Sequence, residues 1–175
     1  MIGCKDDAML RHPAAIRPSA PEGEVQMSTP DSTTQGTHAG SCFCGAVQFE
    51  LSGAPNVAGY CHCTDCAHWA GAPVNAFSLF APDSVRVTKG DDQIGTFAKT
   101  PGSQRKFCKQ CGGHLMTNHP AMGLVDVYLN TVPTYTHQGT LHVFYGEKTL
   151  TIKDGLPKYK DMPSNFGGSG VELPE

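Results

Sequence analysis

Short runs of alternating apolar and polar residues follow one another along the chain from about residue 46. A period of two predicts β-strands with one buried face, and the Gly, Pro and Asp clusters between the runs predict turns. No stretch shows a sustained helical period. We therefore expect a mainly β fold, a single domain of short antiparallel strands. The predicted strands are residues 46–51, 74–80, 85–88, 94–97, 114–117, 125–129, 141–145 and 149–152.

The two ends of the chain differ from this central region. Residues 1–38 are rich in Pro, Ser, Thr and Gly and poor in large apolar residues, so we expect a disordered tail in which Met27 is an alternative start to Met1. Residues 39–160 are expected to form the domain. Residues 161–175 show no period and are expected to form a coil that lies over it.

Composition excludes some classes of protein. The chain has 175 residues, of which 39% are hydrophobic, enough for one domain with a core. Its net charge of −3 gives no electrostatic reason to expect a nucleic-acid partner. No apolar run is as long as a membrane span, and the first residues lack an apolar signal core. We therefore expect a cytoplasmic protein with neither a membrane nor a nucleic-acid partner.

The candidate chemistry lies in the cysteines. Seven of the eight fall into three tight clusters, whereas Cys4 stands alone in the expected tail. Thiolates at such spacing suit a metal ion, because a short loop can aim several sulfurs at one point roughly 2.3 Å away. The alternative, a disulfide framework, is disfavoured by the odd number of clustered cysteines and by a reducing compartment. The clusters are Cys42 and Cys44; Cys61, Cys63 and Cys66; and Cys108 and Cys111.

Two ligand sets follow most economically from these clusters. Cys42 and Cys44 with Cys108 and Cys111 would form a closed four-cysteine site, as structural zinc sites do, and would clamp two distant parts of the chain. The three remaining cysteines then have no fourth cysteine in the expected domain.

The three-cysteine set has two interpretations. Three protein ligands and an open position are typical of a catalytic zinc, whereas a histidine would complete a second structural site. Three thiolates leave a zinc centre formally at −1 and a weak activator of water, which favours a substrate thiol bound as thiolate. The histidines that could complete the site are His62, His68, His114 and His119.

The cysteine motifs together resemble those of the glutathione-dependent formaldehyde-activating enzyme family, which includes centromere protein V. The resemblance runs from about Gly40 to about Lys160. Just after the third cysteine the family often has basic residues, whereas this chain has Ala67, His68 and Trp69. The matching motifs are residues 40–47, 61–66, 71–73 and 105–112, then His142 and residues 154–157.

The resemblance implies a fold, two zinc ions and a reaction. The fold would be coiled antiparallel β-sheets around a structural zinc, as in B-type methionine sulfoxide reductases. Cys42, Cys44, Cys108 and Cys111 would hold that zinc, and Cys61, Cys63 and Cys66 would hold a second, catalytic-type zinc. The family's reaction joins glutathione and formaldehyde into S-(hydroxymethyl)glutathione, and its reversal makes the enzyme a carbon–sulfur lyase.

The leading hypothesis is therefore a zinc enzyme acting on a thiol such as glutathione or on its adducts. The alternative is a non-enzymatic zinc module that binds a protein partner. A sulfoxide reductase would need a redox cysteine beyond the ligands, and Cys4 alone is left over. Among other residues, we expect Asp65 to cap the metal loop, Trp69 to form a core or pocket wall, and Arg105 to lie on a strand surface or bind a carboxylate.

Overall fold

The computed structural model describes residues 36–175, which form ten strands and one short α-helix. Four short 3₁₀ turns lie between the strands, and two more, Tyr145–Glu147 and Ser164–Phe166, follow β10. The helix α1 spans Thr64–Ala70. The strands are β1 Thr37–Ser41, β2 Gln48–Ser52, β3 Val57–Cys61, β4 Asn75–Phe80, β5 Val85–Lys89, β6 Ile94–Thr100, β7 Ser103–Cys108, β8 His114–His119, β9 Leu124–Val127 and β10 His142–Val143.

The strands form two sheets. A three-stranded sheet has the order β1-β2-β5, and a seven-stranded sheet has the order β10-β3-β4-β9-β8-β7-β6. Neighbouring strands are antiparallel, except that β10 pairs in parallel with β3, where Val143 lies opposite Cys61. The expected mainly β, antiparallel domain is confirmed.

One apolar core joins the two sheets. Phe49 and Leu51 of β2 are buried in the same cluster as Leu115 of β8 and Val127 of β9. Each such side chain contributes about 1.5–3 kcal/mol when it leaves water. Cys108 also belongs to this cluster, so the core extends to the cysteines at one end of the sheets.

Most of the predicted strands are present, with ends shifted by a few residues. The prediction at residues 149–152 is wrong, because that segment is irregular and pairs with no strand. The prediction at residues 141–145 holds only for His142–Val143, after which Tyr145–Glu147 forms a 3₁₀ turn. Strands β1, β3 and β7 and the helix α1 were not predicted.

The described residues can be compared with the domain boundaries that the sequence led us to expect. Strand β1 begins at Thr37, inside the expected tail, and the rest of that tail, with Cys4 and Met27, lies outside the described residues. Residues 161–175 are irregular apart from the 3₁₀ turn Ser164–Phe166 and a bridge from Glu172 to Tyr159. Within residues 36–175, no helix is long and apolar enough to cross a membrane.

Candidate metal centres

Four cysteine sulfurs converge where the two sheets meet. Cys42 and Cys44 lie in the connection between β1 and β2, Cys108 is the last residue of β7, and Cys111 follows in the turn to β8. Their four sulfur atoms lie within 4.8 Å of one another, and Cys44 Sγ is 3.6 Å from Cys42 Sγ and 3.9 Å from Cys108 Sγ. A tetrahedral zinc with bonds of roughly 2.3 Å needs sulfurs about 3.8 Å apart. The cluster fits such an ion.

The backbone around this cluster favours thiolates. Val47 N donates to Cys42 Sγ at 3.2 Å, and Gly113 N donates to Cys111 Sγ at 3.4 Å. Although burial opposes ionisation, the bond from Val47 and the neighbouring sulfurs lower the pKa of Cys42 to about 6. Both turns contain a glycine at positive φ, Gly45 at 75° and Gly112 at 71°, where a side chain would strain the backbone.

Three further sulfurs converge at the start of α1. Cys61 ends β3, Cys63 is the N-cap of α1, and Cys66 lies in its first turn. Their sulfur atoms lie within 4.8 Å of one another. The Cys63 sulfur accepts a hydrogen bond from Cys66 N at 3.3 Å, so the loop is closed by its own cysteines. The expectation that Asp65 caps this loop is wrong, because its carboxylate pairs with Lys99 Nζ at 2.6 Å.

Crowding of the three sulfurs favours a bound cation. Hydrogen bonds from the Cys61 and Cys66 thiols hold the pKa of Cys63 far below its usual range, and the same contacts raise the pKa of Cys61. Three thiolates at this distance would repel one another strongly without a positive ion between them. A soft donor set of three sulfurs fits zinc. All seven of these cysteines are free thiols, so a disulfide framework is excluded for the described residues.

None of the four histidines considered as a fourth ligand joins the three sulfurs, nor does any other His, Cys, Asp or Glu of residues 36–175. His62 turns away between its two cysteine neighbours, and its Nε2 lies 2.9 Å from His142 Nδ1. His119 Nδ1 lies 3.3 Å from Gly102 O, and His114 stacks on Trp69. The set therefore has the form of a site with an open position.

A buried chain of polar groups supports the backbone of this site. His142 Nε2 donates to Asp154 Oδ2 at 2.9 Å, and Lys158 Nζ donates to Asp154 Oδ1 at 2.7 Å and Glu175 Oε1 at 2.6 Å. Burial and the neighbouring His142 lower the pKa of His62 to about 4, so its ring is neutral. His62 lies between Cys61 and Cys63 in the sequence. This series of polar contacts therefore fixes the backbone of the loop that carries the three cysteines.

The start of α1 has a second support, from Glu147. Its Oε2 accepts hydrogen bonds from Thr64 N at 2.8 Å and from Thr64 Oγ1 at 2.9 Å. A carboxylate at a helix start satisfies backbone donors that the helix itself leaves free. The positions of Cys63 and Cys66 thus depend on a residue more than eighty positions away along the chain.

Two cavities flank α1 and share His114 as a common wall. The first, of about 520 Å³, is lined by Asp65, His68, Trp69, Phe97, Lys99, Arg105 and His114. The second, of about 410 Å³, has among its lining residues Tyr60, Asn75, Tyr128 and His137. Three of the first cavity's residues belong to the same helix as Cys66, although no cysteine is among the lining residues of either cavity.

Trp69 is confirmed as a pocket wall. Its ring stacks on His114 with centroids 4.3 Å apart and lies parallel to Phe97 at 6.1 Å. Arg105 is not the strand-surface residue that was one of the two expectations. It is only 7% exposed, and its Cζ lies 5.5 Å from the centre of the Trp69 ring.

Sequence reasoning missed several residues of the second cavity and of its support. Tyr60 directly precedes Cys61, but the strand that carries it was not predicted. Its ring stacks on His142 with centroids 4.9 Å apart. Lys158 lies in an irregular segment, where no local pattern indicates that it is buried. For this buried support the sequence offered one indication, the family-like motif at residues 154–157, which contains Asp154.

Comparison with known proteins finds a family model and several relatives that this chain matches. Residues 37–147 match the family model described as "Glutathione-dependent formaldehyde-activating enzyme". A Pyrenophora teres f. teres protein, provisionally named as such an enzyme, is 32% identical over 53% of this chain and 52% of its own length. An uncharacterised lyase of Schizosaccharomyces pombe is 32% identical over 42% of this chain and 51% of its own length.

A solved structure of a Rhodobacter sphaeroides protein superposes with a TM-score of 0.48 at 18% identity, over 56% of this chain and 90% of that one. The chain spans about half the length of the two curated relatives. The family model covers more than half of the chain, including all seven clustered cysteines. The chain therefore belongs to the glutathione-dependent formaldehyde-activating enzyme family.

Proposed function

We propose that this protein is a zinc-dependent enzyme of the carbon–sulfur lyase type that acts on thiol adducts, with glutathione and formaldehyde as its substrate pair. One observation carries the proposal: three cysteine sulfurs converge without a fourth ligand beside cavities large enough for a small molecule. The family membership supports the substrate pair. A reducing, cytoplasmic location would keep the thiols available.

The two cysteine sets have different roles in this proposal. Cys42, Cys44, Cys108 and Cys111 hold a structural zinc, because four sulfurs leave no open position. Cys61, Cys63 and Cys66 hold the second zinc and act as the catalytic centre. A zinc in the three-sulfur site would supply a position where a substrate thiol is held in its deprotonated, nucleophilic form.

The residues around the open site orient the reactants. In the synthetic direction the substrate sulfur forms a bond to the aldehyde carbon, and the aldehyde oxygen takes a proton and becomes a hydroxyl. Tyr128 suits the role of hydrogen-bond donor to that oxygen, because it lines the second cavity and burial raises its pKa to about 12. Holding both reactants side by side supplies most of the gain, since the reaction is bimolecular in water.

The test measures exchange between free and glutathione-bound formaldehyde by NMR with ¹³C-labelled formaldehyde. The protein should accelerate exchange above the spontaneous rate, and Cys63→Ser should abolish the acceleration. Cys4→Ser is the matched control, since it removes a thiol outside the clusters. Metal analysis should give about two zinc ions per chain for the wild type and Cys4→Ser, and about one for Cys63→Ser. Exchange no faster than in buffer would rule out the proposal.

One observation favours the alternative of a non-enzymatic zinc module for a protein partner. Phe43, between two cysteines of the four-sulfur cluster, is 95% exposed. An aromatic side chain held out by a rigid turn is a typical contact for a partner protein. If Phe43→Ser leaves the exchange rate unchanged while the wild type is active, the enzymatic function does not depend on that surface.

A further inference from the structure

The cavity bordered by Trp69 contains a buried cation that no carboxylate of residues 36–175 contacts directly. Arg105 lies on β7, is only 7% exposed and lines this cavity. Within residues 36–175, no hydrogen bond or ion pair reaches its guanidinium. An arginine cannot lose its charge at physiological pH, and a charge taken out of water without a partner costs several kcal/mol.

Neither acidic residue nearby makes an ion pair with Arg105. Burial raises the pKa of the Asp126 carboxyl, and the charge of Arg105, acting at longer range, opposes that rise. Asp65 lines the same cavity, but its carboxylate pairs with Lys99. Asp126 lies two strands away, since Arg105 is opposite Thr117 and Thr117 is opposite Asp126, which puts about 10 Å between the two backbones. The Asp126 carboxylate accepts instead from Ser78 N at 2.8 Å. The five donors of Arg105 are therefore available to something that enters the cavity.

The side chains of the cavity favour a ligand that carries a carboxylate. A planar guanidinium matches a carboxylate, which it can bind through two parallel hydrogen bonds. The Trp69 ring covers Arg105 and stacks on His114, so the aromatic wall holds the guanidinium in place. Trp69 follows Cys66 by three positions on α1, and residues at this spacing are neighbours on a helix surface.

We propose that Arg105 binds a carboxylate of the thiol substrate, so that the enzyme selects thiols that carry an acidic group a few bonds from the sulfur. This inference rests on the proposed function for the identity of the substrate. It also bears on the position just after the third cysteine, where the family often has basic residues and this chain has Ala67, His68 and Trp69. In this chain Arg105 of β7, beside the Trp69 ring in the same cavity, supplies a positive charge near that position.

Calorimetry with thiol-free ligands tests this without any reaction. S-methylglutathione keeps both carboxylates of glutathione but has no free thiol. Its diethyl ester also lacks the thiol, and both of its carboxylates are neutral esters. The wild type should bind S-methylglutathione in the millimolar range or tighter, and the diester about 10- to 100-fold more weakly, which is the effect of losing a hydrogen-bonded charge. Emission from Trp69, the one tryptophan of the sequence, should change on binding and place the ligand in this cavity.

Variants then assign the binding to Arg105. Arg105→Met keeps the unbranched stem and should weaken binding of S-methylglutathione about 10- to 100-fold. Arg105→Lys keeps the charge without the planar fork and should recover part of that loss. Arg86→Met is the matched control, since it removes an exposed arginine that pairs with Glu50 on the three-stranded sheet, outside this cavity, and should change the dissociation constant less than about 3-fold.

The melting temperature separates binding from a purely structural role. Because Arg105 makes no hydrogen bond or ion pair within residues 36–175, the relief of its desolvation should outweigh the loss of its contact with the Trp69 ring, and Arg105→Met should melt at or above the wild-type temperature. Equal affinity of the wild type and Arg105→Met for S-methylglutathione, equal affinity of the wild type for acid and diester, or no binding by the wild type at millimolar concentration would each overturn the inference. Formaldehyde exchange without these differences leaves the proposed function intact, and Arg105-dependent binding without exchange leaves the carboxylate site intact.

Discussion

Asp154 is the residue whose replacement should most directly reveal how the metal loop is held. Its Oδ1 accepts from Lys158 Nζ at 2.7 Å and from Leu156 N at 3.2 Å, and its Oδ2 accepts from His142 Nε2 at 2.9 Å. Both side-chain donors belong to fully buried side chains. Asp154→Asn keeps the size of the side chain but replaces one acceptor oxygen by an NH₂ group, which then faces one of these donors.

The expected loss of stability follows from the hydrogen-bond donors that the amide of Asp154→Asn cannot accept from. A hydrogen bond to a charged group contributes about 1.5–3 kcal/mol, and a buried donor without an acceptor costs about 1–3 kcal/mol. The lower part of the summed range applies, because Lys158 keeps Glu175 Oε1 and Leu156 O as acceptors. We therefore expect a loss of about 2.5–3.5 kcal/mol of unfolding free energy, or about 7–11 °C in melting temperature for a domain of this size.

The pH dependence gives the prediction a second readout. Although partial burial opposes it, the bonds from Lys158 and His142 hold the pKa of Asp154 well below its usual range. A carboxylate with a lowered pKa stabilises the fold above its unfolded pKa of about 3.9 and loses that effect as the pH falls below it. The difference between the wild type and Asp154→Asn should thus be full at about pH 7 and shrink below about pH 4.

Urea unfolding at a fixed zinc concentration, followed by Trp69 fluorescence, measures both effects. Asp83→Asn is the matched control, because Asp83 is exposed at a turn and should change stability by less than about 0.5 kcal/mol. Equal stability of Asp154→Asn and the wild type at about pH 7 would refute the reasoning.

Three further predictions concern the metal sites and the start of the domain. Cys108→Ser should lose about one of two zinc ions and unfold the domain, seen by metal analysis and circular dichroism, and a folded variant with full zinc content would contradict it. Glu147→Ala should cost about 1 kcal/mol by removing the acceptor at Thr64, and should release the second zinc to a chelator at lower concentration; unchanged release would contradict it. A chain starting at residue 36 should melt at the same temperature as the full chain. One starting at residue 39 lacks the buried His38, whose Nδ1 lies 2.9 Å from Thr134 Oγ1, and should melt at a lower temperature. Equal melting temperatures of the two truncated chains would contradict this.

The sequence was most informative where the determining interactions are local. Cysteines two or three positions apart can aim at one point whatever surrounds them, and alternation marks a strand with one buried face. It was least informative where an element is short. The helix α1 has only seven residues and no buried ones, so it leaves no period to detect. Residues 149–152 alternate like a strand, yet they are irregular and pair with no strand of either sheet.

The cysteine clusters, the mainly β class and the family resemblance were therefore determined by the sequence itself. Only the tertiary structure decided that no histidine completes the three-sulfur site, that Asp65 pairs with Lys99, and that Arg105 is buried beneath Trp69. The physical reason is that the burial and partners of a long polar side chain depend on segments far away along the chain. Such contacts form only when strands separated in sequence become neighbours in a sheet, and no local pattern records them.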